Sequence, residues 1–272
     1  MVTRLDVSAS KAKLDRAEVH LASYVAESER LGERTPYRLH VAPVDSETGL
    51  FDVFLTHEEF PEASPRATVG DYINNLRSAL DYLITAMADA SGQSVTRAHQ
   101  FPVCTKSNDY KEILNGITTN KRCPLYGLQV GLDVVTASQP CNTRPDDPEE
   151  DILALLIRFS NTDKHRMLLQ EFAMINGRVS LSIEASEGTV VEEWRIPKME
   201  VKVNDTLKIA TFRCSHPAAR IELNGSVSAQ IAIAAPPFPP QYPLGMALRK
   251  PDLPEMFDRV SAIVERAAEV EY

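Results

Sequence analysis

Six consecutive residues, NTDKHR at positions 161 to 166, bring a carboxamide, a hydroxyl, a carboxylate, an ammonium, an imidazole and a guanidinium together directly after the apolar run DILALLIRF. A histidine titrates near pH 6.5 when unperturbed, so His165 can take or give a proton at physiological pH. An arginine beside it can stabilise charge developing on a phosphoryl group. His165 with Arg158 or Arg77 would suit metal-free cleavage of RNA, in which a base activates the ribose 2′-hydroxyl against the adjacent phosphate. In that scheme Asp81 orients the imidazole and Asn161 donates to the phosphate.

If one helix runs through the cluster, an advance of about 100° per residue aligns Arg158, Thr162, His165 and Leu169, with Asn161 beside them. Asp163, Lys164 and Arg166 then point to a rim or to salt bridges. Alternatively, Asn161 ends that helix and caps another, a role its short carboxamide suits. In NNLRSALDYL, Arg77 and Asp81 stand four residues apart on one helix face. Such a pair adds only about 0.2–0.5 kcal/mol to an isolated helix, so buried members need partners elsewhere. We expect Arg77 to approach Asp163 or Asn161, and Asp81 to approach His165, Lys164 or Arg166. The same residues fit a second reading, a buried polar network that ties two helices together without catalysis.

Arg158 and His165 in RFSNTDKH, late in a helix, resemble the R-x4-6-H motif of HEPN-type proteins. That resemblance implies a helical bundle, metal-independent ribonuclease activity in a toxin or phage-defence setting, RNA as partner and a homodimer that brings two motifs together. It also implies a supporting acid on a preceding helix, which Asp81 matches. The combination GDYINNLRSALDYL, FPV and NTDKHR is similar to a group of uncharacterised bacterial proteins, which supports a shared feature around Arg77, Asp81 and residues 161 to 166 and names no reaction. No cofactor and no metal are implied.

The chain has 272 residues, 43% of them hydrophobic, enough for a sizeable core. Its net charge of -9 opposes general adhesion to nucleic acid or anionic membrane, which leaves RNA only a small local site. The longest aliphatic run, Ile152 to Ile157, is far short of the roughly 20 residues of a membrane span. The first residues lack the apolar segment of a secretory signal, and we expect a cytoplasmic protein. Cys104, Cys123, Cys141 and Cys214 form no C-x-x-C pair and read as buried free thiols. The P-loop, dinucleotide-binding, serine-hydrolase and zinc-protease signatures are all missing. His20, His40, His57, His99 and His216 read as structural or solvated, and Trp194 as a half-buried strand residue.

The elements that must position the cluster are legible as periods. Leu14, Ala17, Leu21, Tyr24, Val25 and Leu31 recur at helical steps, as do Tyr72, Ile73, Leu76, Leu80, Leu83, Ile84 and Met87. Thr68 with Asp71 reads as the start of the second helix, which should stop near Ser91 and Gly92. A short helix follows near DYKEILN. Asp147, Pro148 and Glu150 read as the start of the helix that carries ILALLI, apolar on every face and therefore central. Asp252 and Glu255 read as caps of a last helix bearing Met256, Phe257, Val260, Ile263, Val264 and Ala267.

A hairpin around SETG is expected at 36–58. Asn176-Gly177, Asn204-Asp205 and Asn224-Gly225 predict turns in a meander of about six or seven strands between 171 and 235. PPFPPQYP reads as a stiff connection. The expected fold is α+β: an antiparallel bundle of about four helices over 1–170 and 250–272 with the hairpin inserted, and an antiparallel sheet region over 171–240.

Overall fold

The computed structural model describes residues 2–33, 37–45, 48–57, 64–164, 170–185, 190–195, 206–215, 221–234, 247–249 and 251–272. The chain is an α+β protein. It divides into two compact units, residues 1–25, 65–170 and 234–272 in the first, 26–64 and 171–233 in the second.

The first unit is helical. Helix α1 (Ser8–Glu33) contributes buried Leu14, Ala17 and Tyr24, the spacing that its period predicts. Helix α2 (Ser64–Ala90) is the core element: Tyr72, Ile73, Leu76, Leu80, Leu83, Ile84 and Met87 are all at most 1% exposed. It begins four residues before Thr68, so Thr68 and Asp71 lie inside it and do not start it. Its end is where the sequence puts it. Gly92 takes φ +70, and the amides of Gly92 and Gln93 return to the carbonyls of Asp89 and Ala88, the paired bonds that a left-handed residue after a helix allows.

Helices α3 (Ser107–Gly116), α4 (Leu132–Ala137) and the single-turn α5 (Pro140–Thr143) follow. Pro148–Glu150 form only a 3₁₀ turn, and helix α6 (Ile152–Lys164) starts after it. The cap is Asp151, whose Oδ1 accepts the Leu153 amide at 2.8 Å while its Oδ2 accepts the Thr143 hydroxyl at 2.7 Å. Asp147 was the sequence's candidate for that role; a proline in the following position suits either turn, and the buried Asp151 has the partners. Leu153, Leu156 and Phe159 are fully buried, so α6 is central as expected. Helix α7 (Asp252–Ala268) packs against α6 and α4. Its cap position is Pro251, and Asp252 and Glu255 lie in the first turn, where they favour the positive helix end without capping it. The Tyr72 hydroxyl donates to the Leu253 carbonyl, which ties α2 to α7. Near the chain ends, backbone bonds pair Thr3 with Tyr272 and link Leu5 to Val270.

In the second unit, β1 (Tyr37–Asp45) and β2 (Leu50–His57) form the expected hairpin, with Gly49 at φ +65 in its turn. Its partner is β5 (Thr206–Cys214), which pairs antiparallel with β2 and, on its other side, with β4 (Val191–Arg195). Phe51 stacks on Phe212 at 5.4 Å, and Val53, Leu55, Ile209 and Ala210 are buried with them. The hairpin therefore groups with residues 171–233, where the sequence had grouped it with the helices.

Strands β3 (Gln170–Ala185) and β6 (Ile221–Ala234) are neighbours in a separate sheet, and a short β7 (Ala247–Arg249) lies in the first unit. The predicted meander is not the arrangement found. Asn176-Gly177 and Asn224-Gly225 lie inside β3 and β6, because Asn-Gly permits a tight turn without compelling one and ladder pairing satisfies the extended backbone instead. Among the described residues, 171 to 235 hold four strands. Asn204-Asp205 and PPFPPQYP lie outside the described residues, as does Leu169.

Candidate functional site

Arg77 and Asp81 sit one turn apart on α2, beside its apolar stripe. The Arg77 side chain is 11% exposed and the Asp81 side chain 29%. Arg77 grips the carboxylate with two nitrogens, Nη2 at 2.9 Å from Oδ1 and Nε at 3.2 Å from Oδ2. Such a forked pair is stronger and more directional than a single contact. Burial pulls the Arg77 guanidinium below its ordinary range, and Asp81 pushes it back up.

Asp81 Oδ1 also accepts the backbone amide of Phe101 at 2.9 Å. Arg77 was expected to reach Asp163 or Asn161, and Asp81 to reach His165, Lys164 or Arg166; among the described residues the two hold each other and the carboxylate holds a loop, while the side chains of Asp163 and Lys164, and His165 and Arg166 altogether, lie outside what is described. A carboxylate accepts only, and an amide of an irregular segment has no helix or ladder partner of its own, so the two needs meet.

The loop is FPVCT, residues 101 to 105, and three side chains from separate elements clamp it. Besides Asp81, the fully buried Gln139 accepts the Cys104 amide through Oε1 at 3.0 Å and donates through Nε2 to the carbonyls of Pro102 at 3.0 Å and Val135 at 2.9 Å. Glu149, in the 3₁₀ turn, accepts the Thr105 hydroxyl at 2.7 Å. Its other oxygen receives Arg158 Nη2 at 3.2 Å. Arg158 thus binds back onto the turn that precedes its own helix.

Asn161 lies inside α6, which continues to Lys164, so it is not the cap of a new helix. It is exposed, whereas its neighbour Ser160 is buried and bonds Asn74 Oδ1 on α2 at 3.3 Å. Thr162, Asp163 and Lys164 form the last turn of α6, while His165 and Arg166 lie outside the described residues. The structure therefore brings Arg77 to Asp81 and Arg158 to Glu149. The meeting of Arg158 with His165 falls beyond what it describes.

Sequence reasoning missed Gln139, Glu149, Asn74 and Ser160. Gln139 precedes a proline at the first position of α5, which marks a helix start, but its partners are 35 and 37 residues away and no local pattern reports them. His99 is a structural histidine, as read. Its Nδ1 accepts the Thr96 amide at 3.0 Å, which leaves Nε2–H to donate to the Tyr126 carbonyl at 3.0 Å.

Among the described residues, no group of three or more His, Cys, Asp or Glu side chains could hold a metal ion, and no helix is long and apolar enough to cross a membrane. A groove of about 630 Å³ lies between the 129–134 segment and the end of α7, with Arg266 and Glu269 on its wall, and shares no lining residue with the clamp. Set against known proteins, the chain matches no family model, no curated protein and no solved structure.

Proposed function

We propose that this chain is a non-enzymatic interaction module in which Arg77, Asp81 and the residues around them form a structural polar network. One observation carries the reading: both oxygens of the half-buried Asp81 are taken, by Arg77 and by the Phe101 amide. A carboxylate so engaged has little left with which to orient an imidazole. Gln139 and Glu149 extend the same pattern, each binding the loop with one part of its side chain and a neighbouring element, Val135 or Arg158, with the rest.

A second reading, metal-independent RNA cleavage in the manner implied by the HEPN resemblance, draws support from α6 itself. Asn161 is exposed, and Arg158, less than one turn before it, is 25% exposed. Its partner Glu149 is 60% exposed, and an accessible ion pair of this kind is worth about 0–1 kcal/mol. A phosphate can therefore displace Glu149 from Arg158 at small cost. In this reading His165 is the acid or base, Lys164 and Arg166 hold the backbone of the RNA, Asp163 sits at the rim, and two copies meet as a dimer.

One experiment separates the two. A mixed pool of labelled RNAs is incubated in chelator with the wild type and with His165→Ala, after both are shown to fold equally. The interaction reading expects no cleavage by either protein. Cleavage by the wild type that leaves 2′,3′-cyclic phosphate ends and disappears in the variant overturns it in favour of the nuclease.

A further inference from the structure

The sequence offers no C-x-x-C pair, and all four cysteines are free and buried. Two of them nevertheless meet. The Cys141 amide donates to the Cys104 carbonyl at 3.2 Å, and one residue pair earlier Gln139 fastens the Cys104 amide and the Pro102 carbonyl. Residues 102–104 are thus fastened to 139–141 by one backbone bond and by the Gln139 side chain. With standard backbone dimensions on either side of it, that single N–H···O=C contact keeps the Cα atoms of Cys104 and Cys141 within roughly 7 Å, at the wide end of the roughly 4.4–6.8 Å window that a disulfide spans.

The two residues have similar surroundings. Cys104 is 8% exposed and Cys141 7%, which leaves each a sliver of access for a small oxidant. Tyr110 is buried beside the pair, its hydroxyl pushed up by burial and by the neighbourhood of both thiols. A soft metal bridging the pair would want further ligands, and no third His, Cys, Asp or Glu converges with them among the described residues.

We propose that Cys104 and Cys141 are a redox pair that closes to a disulfide under a peroxide and so locks the 101–105 loop covalently to α5. One thiolate attacks the peroxide oxygen, giving a sulfenic acid and one water. The second thiol then attacks that sulfur, the S–S bond forms, and the sulfenic oxygen leaves with a proton as a second water. Two thiols and one hydrogen peroxide become one disulfide and two waters. Burial, with Cys141 next in effect, pushes the Cys104 thiol up to about 11, so closure is slow at neutral pH and quickens as the pH rises. The lock tightens the clamp that Asp81, Gln139 and Glu149 already make, and it does not depend on which reading of His165 holds.

The test treats the full chain with hydrogen peroxide at pH 7 and pH 9, alkylates the remaining thiols and maps the peptides by mass spectrometry. A parallel sample is refolded from the reduced, denatured chain in a glutathione redox buffer, which removes access as an issue. The expected result is a cross-linked peptide pair carrying Cys104 and Cys141, formed faster at pH 9, with Cys123 and Cys214 alkylated. The oxidised protein should melt several degrees higher, an increase reversed by dithiothreitol and missing in Cys141→Ser. Free Cys104 and Cys141 in both samples, over-oxidation of either thiol alone, or pairing with Cys123 or Cys214 would overturn the proposal. Mapping of the wild type needs no variant, so a misfolded Cys141→Ser leaves the result readable.

Discussion

Asp81 holds the Phe101 amide at 2.9 Å with the same oxygen that takes Arg77 Nη2, so one carboxylate joins the charge balance of α2 to the path of a loop twenty residues downstream. The pair cannot be replaced as a pair. Two apolar residues of similar volume often substitute for a buried ion pair without loss, but here they would leave the Phe101 amide without its acceptor.

Asp81→Asn should therefore destabilise by about 2–4 kcal/mol, since it leaves the largely buried Arg77 uncompensated. Arg77→Met with Asp81→Leu should recover only part of that loss. Urea titration of the wild type, both single variants and the double gives the coupling. Full recovery in the double variant would show that the Phe101 bond contributes nothing.

Gln139→Leu removes one acceptor and two donors from a fully buried position. A stability loss of about 2–4 kcal/mol is expected, as buried groups left unmade cost about 1–3 kcal/mol each and Val135 keeps another donor. Hydrogen exchange adds a local readout: the Cys104 amide should exchange much faster in the variant while the core amides of α2 keep their order of protection. Unchanged exchange at Cys104 would mean that this bond is not formed in solution.

Asp151→Ala tests which residue starts α6. Loss of a capping side chain costs about 0.5–2 kcal/mol, and the Thr143 hydroxyl loses the nearer of its two acceptors and keeps the Gln139 carbonyl at 3.2 Å. Asp147→Ala should cost far less, because its described contact is an ion pair with Arg144 at 3.8 Å between half-exposed side chains. Thermal melts of the two variants decide it; a larger drop for Asp147→Ala would restore the sequence-based assignment.

Alkaline pH should weaken the fold. The Cys104 thiol is raised from 9.0 to about 11, and the Tyr110 hydroxyl is raised as well, both chiefly by burial. In the unfolded chain Cys104 gives up its proton at lower pH than in the folded one, so the folded state binds more protons in between. Its contribution is fully present below pH 9.0 and is lost as the pH rises towards about 11. Melting temperatures between pH 7 and pH 11 should fall, and less steeply in Cys104→Ala. Equal slopes in the two proteins would place the alkaline sensitivity elsewhere.

The helices were legible because the residues that make them are their own signal. In α2, Tyr72, Leu76, Leu80 and Met87 recur at the helical period, and every one is buried. Gly92 marks the end because a positive φ there costs glycine little. The central place of α6 followed from its run ILALLI, which is apolar on every face. The hairpin at 36–58 was equally local, a turn between two alternating runs.

What the sequence by itself determined, then, is where α1, α2, α3, α6 and α7 lie and which stripe the long ones bury, together with the polar residues that would need partners; the short α4 and α5 fall in a stretch that it read as irregular. Who those partners are was settled by tertiary structure alone. Thr211 and Lys208 meet Asp52 more than 150 residues away, Gln139 reaches back 35 residues to Cys104, and Cys141 meets Cys104 without a motif. A local period reports a free-energy preference of a few residues acting on one another. A long-range hydrogen bond reports where the packing of whole elements has left an unmet donor beside an unmet acceptor, and one chain's spacing carries no record of that.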